Sequence, residues 1–187
     1  MPEDSDTLKY VSSLCSADFR RVMEEYGDDV WSYAYFLTGN KDTADELAQE
    51  TFVKAFRRLA SYRGESSVKT WLLVIARNSW YTWRRSAFMR KIALVGLQPA
   101  GGRTESAEEA FMRSLMTDDI WNTVLRLPVK YREVLVLRAH YGLSMEEIGQ
   151  TLGLSVSAVK SRLYKARRKM SQLMKSGGHE GSERYEH

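Results

Sequence analysis

The sequence predicts an all-α protein of two small helical domains joined by a flexible linker, the second domain containing a helix-turn-helix. Three observations predict this fold. The 187 residues include only three prolines, and apolar residues recur at the 3.6-residue period of helices. Residues 96–109 combine glycine, proline and polar residues without any periodicity. After them, residues 143–170 have the pattern of two helices joined by a turn at a glycine.

These patterns divide the chain into five segments. They are an N-terminal extension (1–17), a first helical domain (18–95), a linker (96–115), a second helical domain (116–175) and a disordered tail (176–187).

Composition excludes several classes of protein. The single Cys15 rules out an internal disulfide and a multi-cysteine zinc site, and the three histidines lack metal-ligand spacing. No run of apolar residues approaches the ~18–20 that a membrane span needs, and the acidic start "MPEDSDTLKY" is unlike a signal peptide. We therefore expect a cytoplasmic protein with no metal, no other cofactor and no small-molecule substrate.

Charge is segregated along the chain. Residues 18–50 contain nine acidic side chains and three basic ones. Residues 54–91 contain ten basic side chains, and Glu65 is their only acid. Residues 160–175 contain seven basic side chains and no acid. This segregation indicates one surface for an acidic polymer and another for a basic partner.

The first helix is predicted to begin at Phe19 and to end at the Gly39-Asn40 pair. Its expected core face is a single apolar stripe: Phe19, Met23, Tyr26, Val30, Ala34 and Leu37.

The second helix is predicted to begin with Asp42 as its N-cap and to run to about Tyr62. Leu47, Thr51 and Ala55 form its expected core stripe. The opposite side presents acidic and polar residues around one exposed valine: Asp42, Glu46, Gln49, Glu50 and Val53. This side is either a solvated acidic surface or the contact surface for a basic partner, and the exposed valine favours the partner.

The third helix is predicted to begin near Val68, after the polar loop "SYRGESS", with Ser66 or Ser67 as its cap. Its expected core stripe is Val68, Leu72, Ile75, Ala76, Ser79 and Trp83. The far side carries Asn78, Tyr81 and Arg85, with Arg77 and Arg84 beside them. An aromatic ring among arginines suits unstacked bases of single-stranded nucleic acid, although a merely solvated arginine surface is the alternative.

The second domain carries the helix-turn-helix. Pro128 lies in the first turn of one helix, which Gly142 ends. Ser144 and Glu147 then have the spacing of a capping box, and Gly153 supplies the turn. Ser155 is predicted to cap the last helix, whose inner stripe is Val159, Leu163, Ala166 and Met170.

The outer side of that last helix predicts DNA binding, because a recognition helix enters the major groove with its N-terminal half. Lys160, Ser161 and Tyr164 are placed for base edges, and Lys165 and Arg168 for phosphates, with Ser157 on the same side. The alternative is a basic amphipathic helix on a protein surface. The matching preceding helix and turn favour DNA.

Taken together, the two domains resemble bacterial sigma factors of the extracytoplasmic-function group. "DTADELAQETFVKAFRRLASYRGESSVKTWLLVIARNSW" is similar to region two of that family, and "LRLPVKYREVLVLRAHYGLSMEEIGQTLGLSVSAVKSRLYKARRKM" to region four. The resemblance covers about residues 18–175. It implies a protein that binds core RNA polymerase and directs initiation at specific promoters.

The resemblance also implies a role for each surface. Region two separates the strands of the minus-ten element and captures an unstacked base, at positions matching Tyr62, Arg63, Gly64, Glu65, Ser66, Asn78, Tyr81, Arg84 and Arg85. Region four reads the minus-thirty-five element, at positions matching Lys160, Ser161, Tyr164 and Lys165. The acidic side of the second helix matches the surface that binds the β′ clamp helices of polymerase.

The resemblance adds further partners, namely the β subunit of polymerase and an anti-sigma factor, which in this family can be membrane-bound. Two other classes of protein compete with this interpretation. An enzyme lacks support, because no constellation of catalytic residues stands out. A stand-alone helix-turn-helix regulator would need a ligand pocket or receiver domain in its first half, and the stretch "RNSWYTWRR" argues against one.

Overall fold

The computed structural model describes residues 19–93 and 119–180, and the side chains within 19–86 and 120–176. Within these ranges the regular elements are seven α-helices and one short 3-10 helix. Contacts between residues divide the chain into two compact units, Met1–Glu108 and Glu109–His187. The N-terminal extension 1–17 and the predicted linker 96–115 lie outside the described residues.

The first unit is a three-helix assembly. Its elements are α1 (Phe19–Thr38), α2 (Lys41–Arg57), a 3-10 helix (Leu59–Ser61) and α3 (Val68–Ala93). Each α-helix packs against the other two. One core cluster draws on all of them: Phe19, Val22, Tyr26, Val30, Ala48, Ala55, Leu59, Tyr62, Val68, Leu72 and Ile75.

The buried side of α1 differs from its predicted stripe at one position. Met23 is 46% exposed, whereas its neighbour Val22 is fully buried. The buried stripe continues through Tyr26 and Val30 to Tyr33. Val22 and Met23 both have helical spacing to Phe19 and Tyr26, so periodicity alone does not distinguish them. The side of α1 that packs against α2 and α3 includes Val22 and leaves Met23 exposed.

The N-cap of α2 is Asn40, so the prediction of Asp42 is wrong. The Asn40 side-chain oxygen accepts hydrogen bonds from the backbone N–H and the hydroxyl of Thr43, at 2.9 and 3.0 Å. Asp42 lies instead in the first turn, where its negative charge is favoured by the positive end of the helix dipole. The core stripe of α2 is confirmed, because Leu47, Thr51 and Ala55 are buried.

The second unit contains four helices: α4 (Asp119–Leu125), α5 (Val129–Ala139), α6 (Met145–Leu152) and α7 (Val156–Glu180). The last helix packs against the other three. Pro128 stands at the N-cap position of α5. Gly142, with φ of +66°, follows the end of α5 and turns the chain toward α6.

The last helix is longer than the sequence predicts. It continues to Glu180, so the prediction of a disordered tail is wrong for residues 176–180. Extending an existing helix costs far less than nucleating one, and the Ser176 hydroxyl adds a hydrogen bond to the Gln172 carbonyl at 2.9 Å. Residues 181–187 lie outside the described residues.

Candidate nucleic-acid and protein interfaces

The outer side of α3 forms a wide basic recess. An open cavity of about 780 Å³ is lined by Asn78, Tyr81, Thr82, Arg84 and Arg85. The structure thus brings together all four α3 residues that the sequence nominates for nucleic acid. Thr82, which the sequence did not single out, also lines the recess.

Tyr81 is the aromatic surface of this recess. Its side chain is 37% exposed, and the guanidinium of Arg77 lies 4.7 Å from the centre of its ring. A cation at that distance is attracted to the ring face and holds positive charge beside it. The arrangement suits a base stacked on the ring with its phosphate near an arginine.

The tryptophans of α3 are arranged differently from the prediction. Trp80 is 8% exposed and belongs to the core, whereas Trp83, predicted as core, is only half-buried. Their rings stack at 5.3 Å with an interplanar angle of 17°. The predicted core positions from Val68 to Ser79 are buried, so the error is confined to the last turn of the stripe.

The loop between the 3-10 helix and α3 encloses a smaller, polar cavity. This loop cavity has a volume of about 340 Å³, and its lining residues are Ser61, Tyr62, Arg63, Glu65, Ser66 and Trp71. Gly64 turns the chain at a φ of +69°, a conformation that side chains with a Cβ rarely adopt. Ser67 then caps α3, since its hydroxyl accepts from the Thr70 N–H at 3.1 Å.

Tyr62 supports this loop from inside. The sequence nominates it to contact DNA, but it is only 5% exposed, so it does not offer an open stacking surface. Its hydroxyl donates to the Ser66 carbonyl at 2.7 Å. Burial raises the pKa of the phenol, which therefore stays protonated and keeps donating.

Trp71, like Ser61, lines the loop cavity although the sequence analysis did not single it out. Its ring lies 5.0 Å from that of Tyr62, tilted by 51°, and it is half-buried. Its position on the flank of the α3 core stripe was visible in the sequence. Nothing in the sequence indicated that the loop folds back over it.

The outer side of α2 is an exposed, mainly acidic surface. All five residues nominated for polymerase are exposed there, namely Asp42, Glu46, Gln49, Glu50 and Val53. Val53 is 50% exposed, and Phe56, one turn later, is 51% exposed. We call this set of six residues the acidic-apolar face of α2.

Lys54 lies at the edge of the acidic-apolar face. Its ammonium forms a 2.6 Å ion pair with Glu50 and donates to the Ser79 hydroxyl of α3 at 3.0 Å. Ser79 is buried, so this lysine joins the surface of α2 to the interior side of α3.

The helix-turn-helix forms as the sequence predicts. The Ser144 hydroxyl accepts from the Glu147 N–H at 3.1 Å, while the Glu147 carboxylate accepts from the Ser144 N–H at 2.8 Å. Gly153 turns the chain at a φ of +66°. Gly149 permits close packing, since a Cβ there would lie 2.7 Å from the Leu154 carbonyl oxygen.

The outer side of α7 presents the predicted DNA-facing residues together. All six are exposed: Ser157, Lys160, Ser161, Tyr164, Lys165 and Arg168. Tyr164 is 64% exposed. On the inner side, Val159, Leu163 and Ala166 are buried, as predicted, and Met170 is half-buried. The Ser155 hydroxyl accepts from the Ala158 N–H at 3.3 Å and so caps the helix start.

A second surface of α7 is apolar. A groove of about 460 Å³ lies between α5 and the C-terminal half of α7, lined by Leu135, Arg167, Met170, Ser171, Met174 and Lys175. Met174 is 50% exposed. An apolar groove with a basic rim is suited to a helix that carries both apolar and acidic side chains.

The described residues contain no group of three or more histidine, cysteine, aspartate or glutamate side chains arranged to hold a metal ion. Within the same residues, no helix has the length and hydropathy needed to cross a membrane.

Comparison with known families matches each unit separately. Residues 22–87 match the Sigma-70 region 2 family, and residues 117–170 match the Sigma-70, region 4 family.

Comparison with individual proteins gives the same result over most of the chain. It is 32% identical to the RNA polymerase sigma factor YlaC of Bacillus subtilis (strain 168), over 82% of this chain and 90% of the relative. It is 31% identical to the ECF RNA polymerase sigma factor BldN of Streptomyces coelicolor, over 91% of this chain and 68% of the relative. Among solved structures, the sigma factor RpoE of Bartonella quintana, in complex with the anti-sigma factor NepR, shares the fold. Its TM-score is 0.67 at 24% identity, covering 84% of this chain and 97% of that chain.

Proposed function

The chain belongs to the extracytoplasmic-function group of sigma-70 factors and directs promoter-specific initiation of transcription, and we propose how its exposed surfaces divide that task. The first unit binds polymerase through α2 and opens the minus-ten element with α3 and the loop cavity. The second unit reads the minus-thirty-five element with α7. No step of this task requires the protein to catalyse a reaction, so we propose that it acts by binding alone.

The minus-ten element is held by the recess of α3 and by the loop cavity. Tyr81 stacks on an unstacked base while Asn78 hydrogen-bonds to a base edge or sugar. Arg84 and Arg85 neutralise phosphates of the same strand. The loop of Arg63, Gly64, Glu65 and Ser66 receives a second base. Tyr62, nominated from the sequence, acts indirectly by holding that loop in shape.

The minus-thirty-five element is read as duplex DNA by α7. Lys160, Ser161 and Tyr164 reach base edges in the major groove, with Ser157 at the helix start. Lys165 and Arg168 contact phosphates and fix the register of the helix along the groove. The observation that carries this assignment is that these six side chains are exposed on one side of a capped helix-turn-helix.

Core polymerase binds the acidic-apolar face of α2 through its β′ clamp helices. Charge complementarity draws a basic partner to Glu46 and Glu50, while Val53 gives the contact an apolar centre. Replacing Glu46 and Glu50 with lysine should weaken binding to core polymerase by about tenfold or more. The first unit should stay folded and lose only a little stability, because the surface ion pair of Glu50 with Lys54 is lost. Competition of the full-length variant against wild type for core polymerase measures this, and equal competition would remove the assignment.

The β subunit of polymerase occupies the apolar groove of the second unit. Met170, Met174 and Leu135 supply the apolar contact, and flexible methionines adapt well to a partner helix. Met174→Glu should weaken initiation from promoters that depend on the minus-thirty-five element. A variant that initiates normally on such promoters would exclude the groove from the contact.

An anti-sigma factor regulates the protein by covering the acidic-apolar face of α2, the DNA-facing side of α7, or both. The solved sigma factor of the same fold, from Bartonella quintana, is bound to an anti-sigma factor. Because those surfaces also serve polymerase and promoter, binding of the inhibitor and of core polymerase should be mutually exclusive. An inactive ternary complex with both would contradict this form of regulation.

The direct test is reconstituted transcription with core polymerase on a library of random promoters. The protein should direct initiation at promoters that share a minus-ten and a minus-thirty-five element at fixed spacing. By itself it should bind duplex DNA weakly, because each unit is small and its contacts are mostly electrostatic. Tight, sequence-specific binding without polymerase would favour the stand-alone regulator instead.

A further inference from the structure

Three phenylalanine rings meet where the start of α1 lies against the end of α2. The centre of the Phe19 ring is 5.2 Å from that of Phe56 and 6.3 Å from that of Phe52, and both pairs pack edge to face. Phe19 is buried and Phe52 is half-buried, but Phe56 is 51% exposed. We call these three rings the phenylalanine cluster. Its outer side is an apolar surface that the described residues leave uncovered.

Met23 extends this apolar surface along α1. It lies four residues after Phe19, and residues at that spacing share one side of a helix. Val53 lies three residues before Phe56 and extends the surface along α2 in the same way. Met23, Val53 and Phe56 are each about half exposed. Neighbouring apolar side chains with this exposure are typical of a contact surface.

Arginines border the phenylalanine cluster on both helices. Arg20 and Arg21 follow Phe19 on α1, and Arg57 and Arg58 follow Phe56 at the end of α2. All four arginines are exposed. A basic partner would be repelled from this end of the helix pair, whereas an acidic partner would be attracted. The cluster is therefore suited to an acidic segment that also carries apolar side chains.

The chain contains such a segment immediately before α1. Residues 1–18 carry four acidic side chains and a single basic one. Leu8, Val11 and Leu14 follow each other at intervals of three residues, a spacing that places side chains on one side of a helix. The segment thus combines the negative charge and the apolar side chains that the cluster and its arginines would select.

The segment is joined to the chain at the cluster itself. Leu14 is five residues from Phe19, and Leu8 is eleven, so their reach from that ring is at most about 18 and 40 Å. A short tether gives its segment an effective concentration of about a millimolar or more. At that concentration even a weak contact is occupied for most of the time.

We propose that residues 8–14 dock on the phenylalanine cluster of the same chain, with their apolar side chains against Phe56 and the neighbouring acidic residues toward the arginines. Phe56 also belongs to the acidic-apolar face of α2. The docked segment should therefore compete with core polymerase for that face. This competition rests on the proposed polymerase contact, whereas the docking itself does not.

Cys15 reports on docking, because it follows Leu14 and is the only thiol of the chain. Its alkylation by iodoacetamide, a neutral reagent, can be followed in the full chain by mass spectrometry. If the segment is docked about nine-tenths of the time, alkylation should be about tenfold slower than in a variant that cannot dock. Phe56→Asn should be such a variant. Ile120→Asn is the matched control, since Ile120 is 48% exposed in the second unit, and alkylation should stay slow there.

Variants of the segment test the same contact from its other side. Replacing Leu8 and Val11 together with asparagine should speed the alkylation of Cys15 as much as Phe56→Asn does. Ser13→Asn changes a polar position of the same segment and should leave the rate slow. Both changes lie before α1, so they keep the test valid even if Phe56→Asn fails to fold.

Core polymerase provides the second measurement. In assembled holoenzyme, the Cys15 peptide should be alkylated faster than in the free protein, because polymerase displaces the segment. The variant with asparagine at Leu8 and Val11 should bind core polymerase about tenfold more tightly than wild type, since apparent affinity falls with the fraction of the protein that is competent to bind. Competition between the two full-length chains for core polymerase measures this difference.

The outcomes separate docking, competition and the polymerase contact. Equal alkylation rates in wild type, Phe56→Asn and the segment variant would refute the docking. Slow alkylation that becomes faster on dilution would mean that a second copy supplies the segment, which would overturn a contact within one chain. Slow alkylation with an unchanged affinity for core polymerase would overturn the competition. If lysine at Glu46 and Glu50 leaves polymerase binding unchanged, the proposed polymerase surface is wrong, while protection of Cys15 would still establish the docking.

Discussion

The two helices that we propose bind DNA, α3 and α7, carry different kinds of side chain. On α3, aromatic rings lie on both sides of the helix, with Trp80 in the core and Tyr81 in the recess. On α7, the inner stripe is aliphatic and the outer side is lysine, serine and arginine around the single ring of Tyr164. Reading a duplex requires polar groups at base edges, whereas holding unstacked bases requires flat apolar surfaces.

This difference predicts which substitutions in each helix should affect stability and which should affect DNA binding. In α7 the residues that pack in the core and those that we propose contact DNA are of different chemical types. In α3 both tasks use tryptophan and tyrosine at adjacent positions. Substitutions at neighbouring aromatic residues of α3 should therefore differ in effect. A change at the buried Trp80 should lower stability, and a change at the exposed Tyr81 should impair promoter opening.

The largest expected effect is on the stability of the first unit. Trp80→Ala removes a large buried ring and should lower the free energy of unfolding by about 3–5 kcal/mol. Since the chain forms two compact units, the transition of the second unit should be unchanged. Calorimetry of the full chain would resolve both transitions.

Two controls sharpen this prediction. Trp83→Ala should cost less, because that ring is only half-buried. Trp80→Phe should also cost less than alanine, since it keeps a ring and removes an indole N–H that is buried without a hydrogen-bond partner in the described part of the chain. If Trp83→Ala proves the more damaging alanine variant, the inner side of α3 has been misplaced.

The second effect concerns the turn of the helix-turn-helix. Gly149→Ala would place a Cβ 2.7 Å from the Leu154 carbonyl oxygen, which is backbone and cannot rotate away. We expect the second unit to lose about 1–3 kcal/mol of stability, as overpacked sites do. Thermal unfolding of the second unit measures the loss.

Gly27→Ala is the matched control in the first unit. A Cβ at Gly27 meets nothing within 4 Å. The substitution should raise the stability of α1 by about 0.5–1 kcal/mol, because alanine favours a helix over glycine. Equal destabilisation by both substitutions would mean that the close approach at Gly149 does not limit packing.

The same contrast explains how much the sequence could predict. In the second unit, the capping residues Ser144 and Glu147, the turn at Gly153 and the outer side of α7 all follow from local rules. Each depends on residues within one or two helical turns, so the structure agrees with the prediction at every one of them.

The first unit departs from prediction where contacts join distant segments. Tyr62 is buried because the loop folds back against Trp71, a contact that local periodicity does not encode. The exchange of Trp80 and Trp83 has a similar cause, since a 100° step places both near the boundary of the core stripe. Which of them the core covers depends on the helices packed against α3. The N-cap of α2 was missed because Asn40 and Asp42 have similar capping ability.

The third prediction concerns the role of the α3 recess in promoter opening. Tyr81→Ala should reduce open-complex formation on duplex promoters by about ten- to a hundredfold, because base–aromatic stacking contributes ~1–3 kcal/mol per base. Stability should change little, since Tyr81 is exposed. Tyr81→Phe keeps the ring and should retain most of the activity. An unfolded Tyr81→Ala variant would show that this ring belongs to the core.

The smallest effects are expected on α7, where many weak contacts share the work. Lys160→Ala should weaken recognition of the minus-thirty-five element, with the loss concentrated at one base position and absent on promoters that lack the element. Arg168→Ala should weaken binding about equally on all sequences, because a phosphate contact carries no base information. It should also lower the slope of log affinity against log salt by about one, the contribution of one neutralised phosphate.

Titration of holoenzyme with promoters that have or lack the minus-thirty-five element, at several salt concentrations, separates the two variants. If Arg168→Ala instead changes base preference and Lys160→Ala changes only the salt slope, the rotation of α7 in the groove differs from the one proposed. Once a template is pre-melted and bound, neither variant should alter how the unstacked minus-ten strand is held, since we assign that step to the aromatic recess of α3 and not to α7.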